Sequence, residues 1–134
     1  MKLSAYHKNV GDDVVLKTDY DNLDEYDTVY ISKVFTDTIV PGEPEDKSQK
    51  NCNTISDWYA DNEFLKRPNI VYGGTGFFYD KAPALPDEIE HIMPDYHLYD
   101  GWVADGIKRG YKESECVYYT EYSIGYLTRK CFRG

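Results

Sequence analysis

The residues whose types and spacing suit chemistry are a glycine-rich turn, a few histidines and cysteines, and a run of acidic side chains. Gly73, Gly74, Thr75 and Gly76 follow a short apolar stretch, and the backbone N–H groups of such a turn can bind a phosphate or another anion. The turn has neither the spacing of a dinucleotide fingerprint nor the Lys-Ser/Thr pair of a phosphate-binding loop. Two interpretations stay open, a cofactor-binding turn and a structural turn, and the pattern favours the second.

The histidines and cysteines do not have the spacing of a metal site. His91 and His97 lie close together in the sequence, but zinc and iron sites use three or four convergent ligands. Cys52, Cys116 and Cys131 include no CxxC pair. We therefore expect surface histidines and reduced thiols. A small hydrolase is a further possibility, but no local motif joins a nucleophile to a base.

The net charge of −9 argues against a general DNA- or RNA-binding surface, because phosphates would be repelled. An acidic surface can instead imitate nucleic acid and bind a basic groove on another protein. The predicted protein-binding cluster comprises Asp19, Asp21, Asp24, Glu25 and Asp27. The acidic excess lies in residues 1–100, whereas basic side chains outnumber acidic ones in residues 101–134.

The elements that must position these residues follow from hydrophobic periodicity and turn residues. The first half of the chain is predicted to contain a helix over residues 2–10 that ends at Gly11, and strands at Val14–Thr18 and Thr28–Phe35 with a solvated loop or short helix between them at 19–27. A loop at 37–53, a helix at Ile55–Lys66 and a strand at Asn69–Tyr72 follow. The remainder is predicted to contain one helical turn within Pro83–Pro94, and one long strand or two joined strands at Val117–Thr128. The pattern predicts the α/β class. No apolar run is long enough for a spanning helix or a signal core, so we expect a cytoplasmic protein with no membrane partner.

Several segments resemble a bacterial and archaeal subgroup of radical SAM proteins. They are KLSAYHK (residues 2–8), VYISKVFT (29–36), GGTG (73–76), the stretch from Leu85-Pro86 to IMPDY (92–96), and YLTRKCFRG (126–134), which resembles the lead-in to the CxxxCxxC cluster motif. The resemblance spans most of the chain and is weakest over residues 100–120. It says nothing about substrate.

The resemblance implies a fold and a metal residue. The N-terminal region of these enzymes is a cobalamin-binding-like, Rossmann-like domain, and this chain would begin inside its first helix, without the first strand. Residues 1–100 would form the acidic Rossmann-like domain, and residues 101–134 a connector and strand leading to the cluster motif. Cys131 matches the first of three cysteines that hold a 4Fe–4S cluster, whose open iron binds S-adenosylmethionine in full-length relatives. The cobalt-ligand pattern Asp-x-His-x-x-Gly is not matched around His7, so cobalamin binding is not expected.

We therefore expect a non-catalytic accessory domain or fragment of a radical SAM iron-sulfur protein, with no cofactor of its own. Because this sequence supplies Cys131 alone from the cluster motif, and such clusters take three or four thiolates, the site is incomplete. The alternative is a small acidic interaction protein, such as a phage-type inhibitor that blocks a nucleic-acid-binding effector. Either would contact a protein partner, or a second copy through an edge strand, and not nucleic acid directly.

Overall fold

The computed structural model describes residues 1–35, 38–43, 59, 61–78 and 81–116. The chain divides into two compact units: unit 1 is Met1–Leu16 with Pro86–Gly134, and unit 2 is Lys17–Leu85. The described elements are α1 (Lys2–Val10), a 3-10 turn (Leu23–Glu25), β1 (Val29–Ser32), β2 (Ile70–Gly73), α2 (Thr75–Phe78), α3 (Asp87–Glu90), α4 (Asp100–Lys108) and α5 (Glu113–Cys116). This mixture confirms the predicted α/β class. The boundary after residue 100 stays a prediction.

Unit 2 is built on β1 and β2, which pair in parallel with Val29 opposite Ile70 and Ser32 opposite Gly73. The inward side chains of β1 alternate with outward ones, as a strand with one covered face requires. Parallel pairing brings the carboxyl ends of both strands to the same edge. Lys33 and the Gly73–Gly76 turn therefore meet there.

An apolar core covers this strand pair. Its buried members are Leu23, Val40, Tyr59, Leu65, Ile70 and Phe77. Phe77 is fully buried and packs edge-on against the rings of Tyr59 and Tyr72. This aromatic contact lies beside the carboxyl end of the strand pair.

Unit 1 joins the first helix to the segment that follows Pro86. Gly11 ends α1 in the left-handed conformation, with φ 97°, and its position confirms the predicted helix and stop. Asp95 donates its backbone N–H to the carbonyl of Met1, accepts a hydrogen bond from Ser4 Oγ and pairs with Lys8 Nζ at 2.7 Å. These contacts hold α1 against the segment around Asp95.

Strand prediction succeeded where a partner strand exists. Strands are confirmed within the predicted ranges Thr28–Phe35 and Asn69–Tyr72 as β1 and β2, although β1 ends at Ser32 and does not reach Phe35. The helical turn predicted between prolines is confirmed as α3. The strand predicted at Val14–Thr18 is wrong, because this described segment has no ladder partner and β-branched residues alone do not form a strand.

Two predicted elements lie mainly or wholly outside the described residues: the loop at 37–53 and the strands at Val117–Thr128. Of the helix predicted at Ile55–Lys66, residues 59 and 61–66 are described. Tyr59 is helical, but the helix is wrong over residues 61–66, which form turns because the Asn62 side chain accepts from the N–H groups of Phe64 and Leu65 in place of helix carbonyls.

Candidate functional site

Lys33 is a deeply buried charged residue of unit 2. It directly follows β1, its backbone N–H donates to Gly73 O at 3.0 Å, and its carbonyl accepts from the Gly76 N–H at 2.8 Å. These bonds fix the backbone at the edge where the two strands end. The Lys33 side chain turns inward and is 1% exposed.

A tight turn brings Glu43 to the same place. The Glu43 N–H donates to Val40 O at 3.1 Å, with Pro41 and Gly42 between them. Gly42 has φ 85°, and a proline followed by a residue of positive φ is the signature of a type II turn. Asn62 Nδ2 donates to Pro41 O at 3.0 Å and anchors the turn.

Lys33, Glu43 and Tyr59 form a hydrogen-bonded triangle, which we call the triad. Lys33 Nζ donates to Glu43 Oε1 at 2.5 Å and to Tyr59 Oη at 2.6 Å. Tyr59 Oη donates to the same carboxylate oxygen at 2.5 Å. The ammonium also lies 5.0 Å from the Tyr59 ring centroid and 5.5 Å from that of Phe77, within cation–π range.

The electrostatics of the triad keep Tyr59 a neutral phenol. Burial raises the pKa of Tyr59 well above its usual range, and the hydrogen bond to Glu43 and its negative charge raise it further. A neutral phenol can both accept and donate a hydrogen bond, and Tyr59 accepts from Lys33 and donates to Glu43. All three triad residues are buried, so in this conformation the triad binds chain segments together and does not face a substrate.

The predicted glycine turn lies directly against the triad. A Cβ on Gly74 would overlap the Lys33 carbonyl, and a Cβ on Gly76 would lie 2.5 Å from Lys33 Cγ. Gly74 also has φ 105°, which favours glycine. Thr75 Oγ1 donates to Val34 O at 3.0 Å.

This geometry gives the glycine turn a structural role. The Gly76 N–H, one of the donors expected to face an anion, is engaged by the carbonyl of Lys33. Cofactor binding by Gly73, Gly74, Thr75 and Gly76 stays a prediction.

The five predicted acidic residues are all exposed. Two have basic partners: Asp19 pairs with Lys17 at 2.8 Å, and Asp24 with Arg67 at 3.3 Å. The hydrogen bond from Lys17, helped by that of the Asp21 N–H, lowers the pKa of Asp19.

The backbone of the acidic segment at residues 19–27 is anchored by core packing and by hydrogen bonds. Leu23 inserts into the core at 2% exposure. Asn69 Nδ2 donates to the carbonyls of Leu23 and Tyr26. The structure thus presents these carboxylates on an anchored backbone.

The histidines and cysteines do not converge in the described part of the chain. His7 bonds Asp12, and His97 bonds Asp100, both at the surface. Cys116 is a buried free thiol beside Gly106, while Cys52 and Cys131 lie outside the described residues. Over residues 1–35, 38–43, 59, 61–78 and 81–116, no three His, Cys, Asp or Glu side chains are grouped to hold a metal ion.

The sequence predicts a strand at Lys33, a loop at Glu43 and a helix at Tyr59, and these separate elements do not predict the triad. Two local signals point to these residues: a lone charged residue within the strand predicted at Thr28–Phe35, and Pro-Gly before an acidic residue. Neither signal identifies which side chains meet.

Comparison with known proteins finds no match among family models, curated proteins or solved structures. In the described portion of the chain, no helix has the length and apolarity needed to cross a membrane.

Proposed function

We propose that this chain is a non-catalytic accessory domain of the radical SAM type, with an incomplete Rossmann-like sheet, whose described residues build a scaffold. One observation carries the proposal: the segments that bear the resemblance bond to each other in pairs. In unit 1, Ser4 and Lys8 of the first segment bind Asp95 of the IMPDY segment. In unit 2, Lys33 binds the GGTG turn through Gly73 and Gly76.

This pairing gives a structural role to residues in the segments that resemble the radical SAM subgroup. Asp95 has a nearly covered side chain, and both Ser4 and Lys33 are buried. The polar and charged side chains of Ser4, Lys33 and Asp95 therefore hold chain segments together. A scaffold of this kind supports a neighbouring catalytic centre without contributing reacting groups.

The proposal is tested by anaerobic reconstitution of the 134-residue chain with iron and sulfide. We expect no stable cluster absorbance, because Cys131 alone represents the cluster motif in this sequence. Cys131→Ala and Cys52→Ala are matched controls, and both should bind as little iron as the parent chain. One cluster per chain, lost in Cys131→Ala and retained in Cys52→Ala, would overturn the proposal.

A second candidate is an acidic interaction protein that imitates nucleic acid, and the anchored, exposed segment at residues 19–27 favours it. Carboxylates on a fixed backbone lose little conformational entropy when they meet a basic groove. The partner would be a nucleic-acid-binding effector. Attraction of this kind weakens as salt rises.

Binding to a panel of basic nucleic-acid-binding effectors, at low and raised salt, tests this candidate. The triple variant Asp21→Asn, Glu25→Gln, Asp27→Asn should weaken binding about tenfold or more. The control triple Asp61→Asn, Asp87→Asn, Glu88→Gln removes the same charge elsewhere and should weaken it far less. Equal losses, or salt-independent binding, would contradict acidic mimicry by this segment.

A further inference from the structure

The triad joins points that are distant in the sequence. Lys33 lies 10 positions from Glu43 and 26 from Tyr59, and the latter two are 16 positions apart. Bringing such points together costs loop-closure and backbone entropy. The contact that holds these points together must offset this entropy cost. Loss of the triad should therefore affect the backbone segments that carry the three side chains, and not the side chains alone.

We propose that the triad is a clasp that holds the Val40–Glu43 turn and the turn at residues 62–65 against the carboxyl end of the β1–β2 pair. When the clasp is broken, these two turns open together as one unit while the strand pair stays formed. The inference concerns conformation and does not rest on the proposed function.

The two turns form one unit because Asn62 connects them. Its Nδ2 donates to Pro41 O, while its Oδ1 accepts from the N–H groups of Phe64, at 2.9 Å, and Leu65. A Cβ on Gly42 would lie 3.1 Å from Asn62 Nδ2, so the Gly42 backbone packs closely against the Asn62 side chain. One turn cannot move away without breaking the bonds of the other.

The strand pair has hydrogen bonds of its own. The Val29 N–H donates to Asn69 O at 2.7 Å, and the Lys33 N–H donates to Gly73 O at 3.0 Å. These bonds use the backbone and do not involve the Lys33 ammonium. Removing the ammonium therefore leaves them intact.

Charge makes the clasp sensitive to the loss of one partner. The side chains of Lys33 and Glu43 are 1% and 0% exposed. Removing one partner of a buried ion pair takes away charge compensation from the other and is strongly destabilising, whereas replacing both with apolar residues is often neutral. The single change should open the turns, and the double change should close them again.

Residue-resolved amide hydrogen exchange on the full chain tests the clasp. In Lys33→Met, the N–H groups of Glu43, Phe64 and Leu65 should exchange at least about tenfold faster, while that of Val29 keeps its rate. Lys33→Met, Glu43→Leu should return the three rates close to those of the parent. Lys66→Met removes a lysine charge from the exposed pair with Glu63 and should leave all four rates unchanged.

Tyr59→Phe is the milder variant should Lys33→Met fail to fold, because it removes one hydroxyl and keeps the ring. It should accelerate the same three amides by a smaller factor. Three results would overturn the clasp: equal acceleration of the Val29 amide, no acceleration of the turn amides in either single variant, or a double variant that exchanges as fast as Lys33→Met.

Discussion

At the residue scale, Lys33 shows how one side chain organises the strand ends. Its backbone bonds the glycine turn, and its ammonium bonds Glu43 and Tyr59. The close approach of Gly76 to Lys33 is possible only because glycine has no Cβ. The requirement for glycine at this position is thus steric, and it can be tested without reference to any ligand.

Gly76→Ala should destabilise the protein by about 1–3 kcal/mol, because the new methyl group would be forced against Lys33 in a packed interior. Gly73→Ala is the matched control, since a Cβ there meets nothing within 4 Å. Its effect should stay within about 0.5 kcal/mol. The free energy of urea unfolding measures both, and equal losses would show that contact with Lys33 is not the cause.

At the element scale, the described helices are short, so their stability depends strongly on the residues near their ends. α1 spans nine residues and ends at Gly11, whose left-handed conformation lets its N–H reach the carbonyls of His7 and Lys8. α4 also spans nine residues, and it contains Gly101 in ordinary helical conformation with open space around it. The same substitution should therefore act in opposite directions at the two glycines.

Gly11→Ala should lower the free energy of unfolding by about 1 kcal/mol, because an L-residue is strained in the left-handed region. Gly101→Ala should raise it by about 0.5–1 kcal/mol, because alanine restricts the unfolded chain and favours the helix. Changes of the same sign in calorimetric melting would contradict this assignment of the helix ends.

The elements also show what the sequence could and could not predict. α1 with Gly11, and α3 after Pro86, were predictable because their signals lie within a few residues of the element. Lys33 was not predictable as a buried ion, because its partners lie 10 and 26 positions away and no local pattern specifies which segments meet. The failure at Val14–Thr18 has the same origin, since strand formation depends on a partner.

At the scale of the whole molecule, each unit is held by contacts between distant segments. In unit 1, Asp95 joins Ser4 and Lys8 across about 90 positions of sequence. Burial alone would raise the pKa of Asp95, but its bonds with Lys8 and Ser4 outweigh burial and lower that pKa. A carboxyl group with a lowered folded pKa stabilises the fold above its unfolded pKa of about 3.9, and this stabilisation is lost as pH falls through the folded value.

Asp95→Asn should therefore lower the unfolding free energy at neutral pH and flatten its decline below about pH 4. Urea unfolding at several pH values, followed by Trp102 fluorescence in a Trp58→Phe background, measures this dependence in unit 1. Asp105→Asn, which changes an exposed carboxylate on α4, is the control and should keep the parent profile. Identical profiles for the parent and Asp95→Asn would contradict the role of Asp95.

The most direct test of the proposed accessory role is to look for the reaction itself. The 134-residue chain, treated anaerobically with iron and sulfide, would be incubated with S-adenosylmethionine and a strong one-electron reductant, and 5′-deoxyadenosine would be quantified. We predict no more of this product than in a protein-free control. Repeated turnover by the parent chain that disappears in Cys131→Ala would contradict the account and identify the chain as an enzyme.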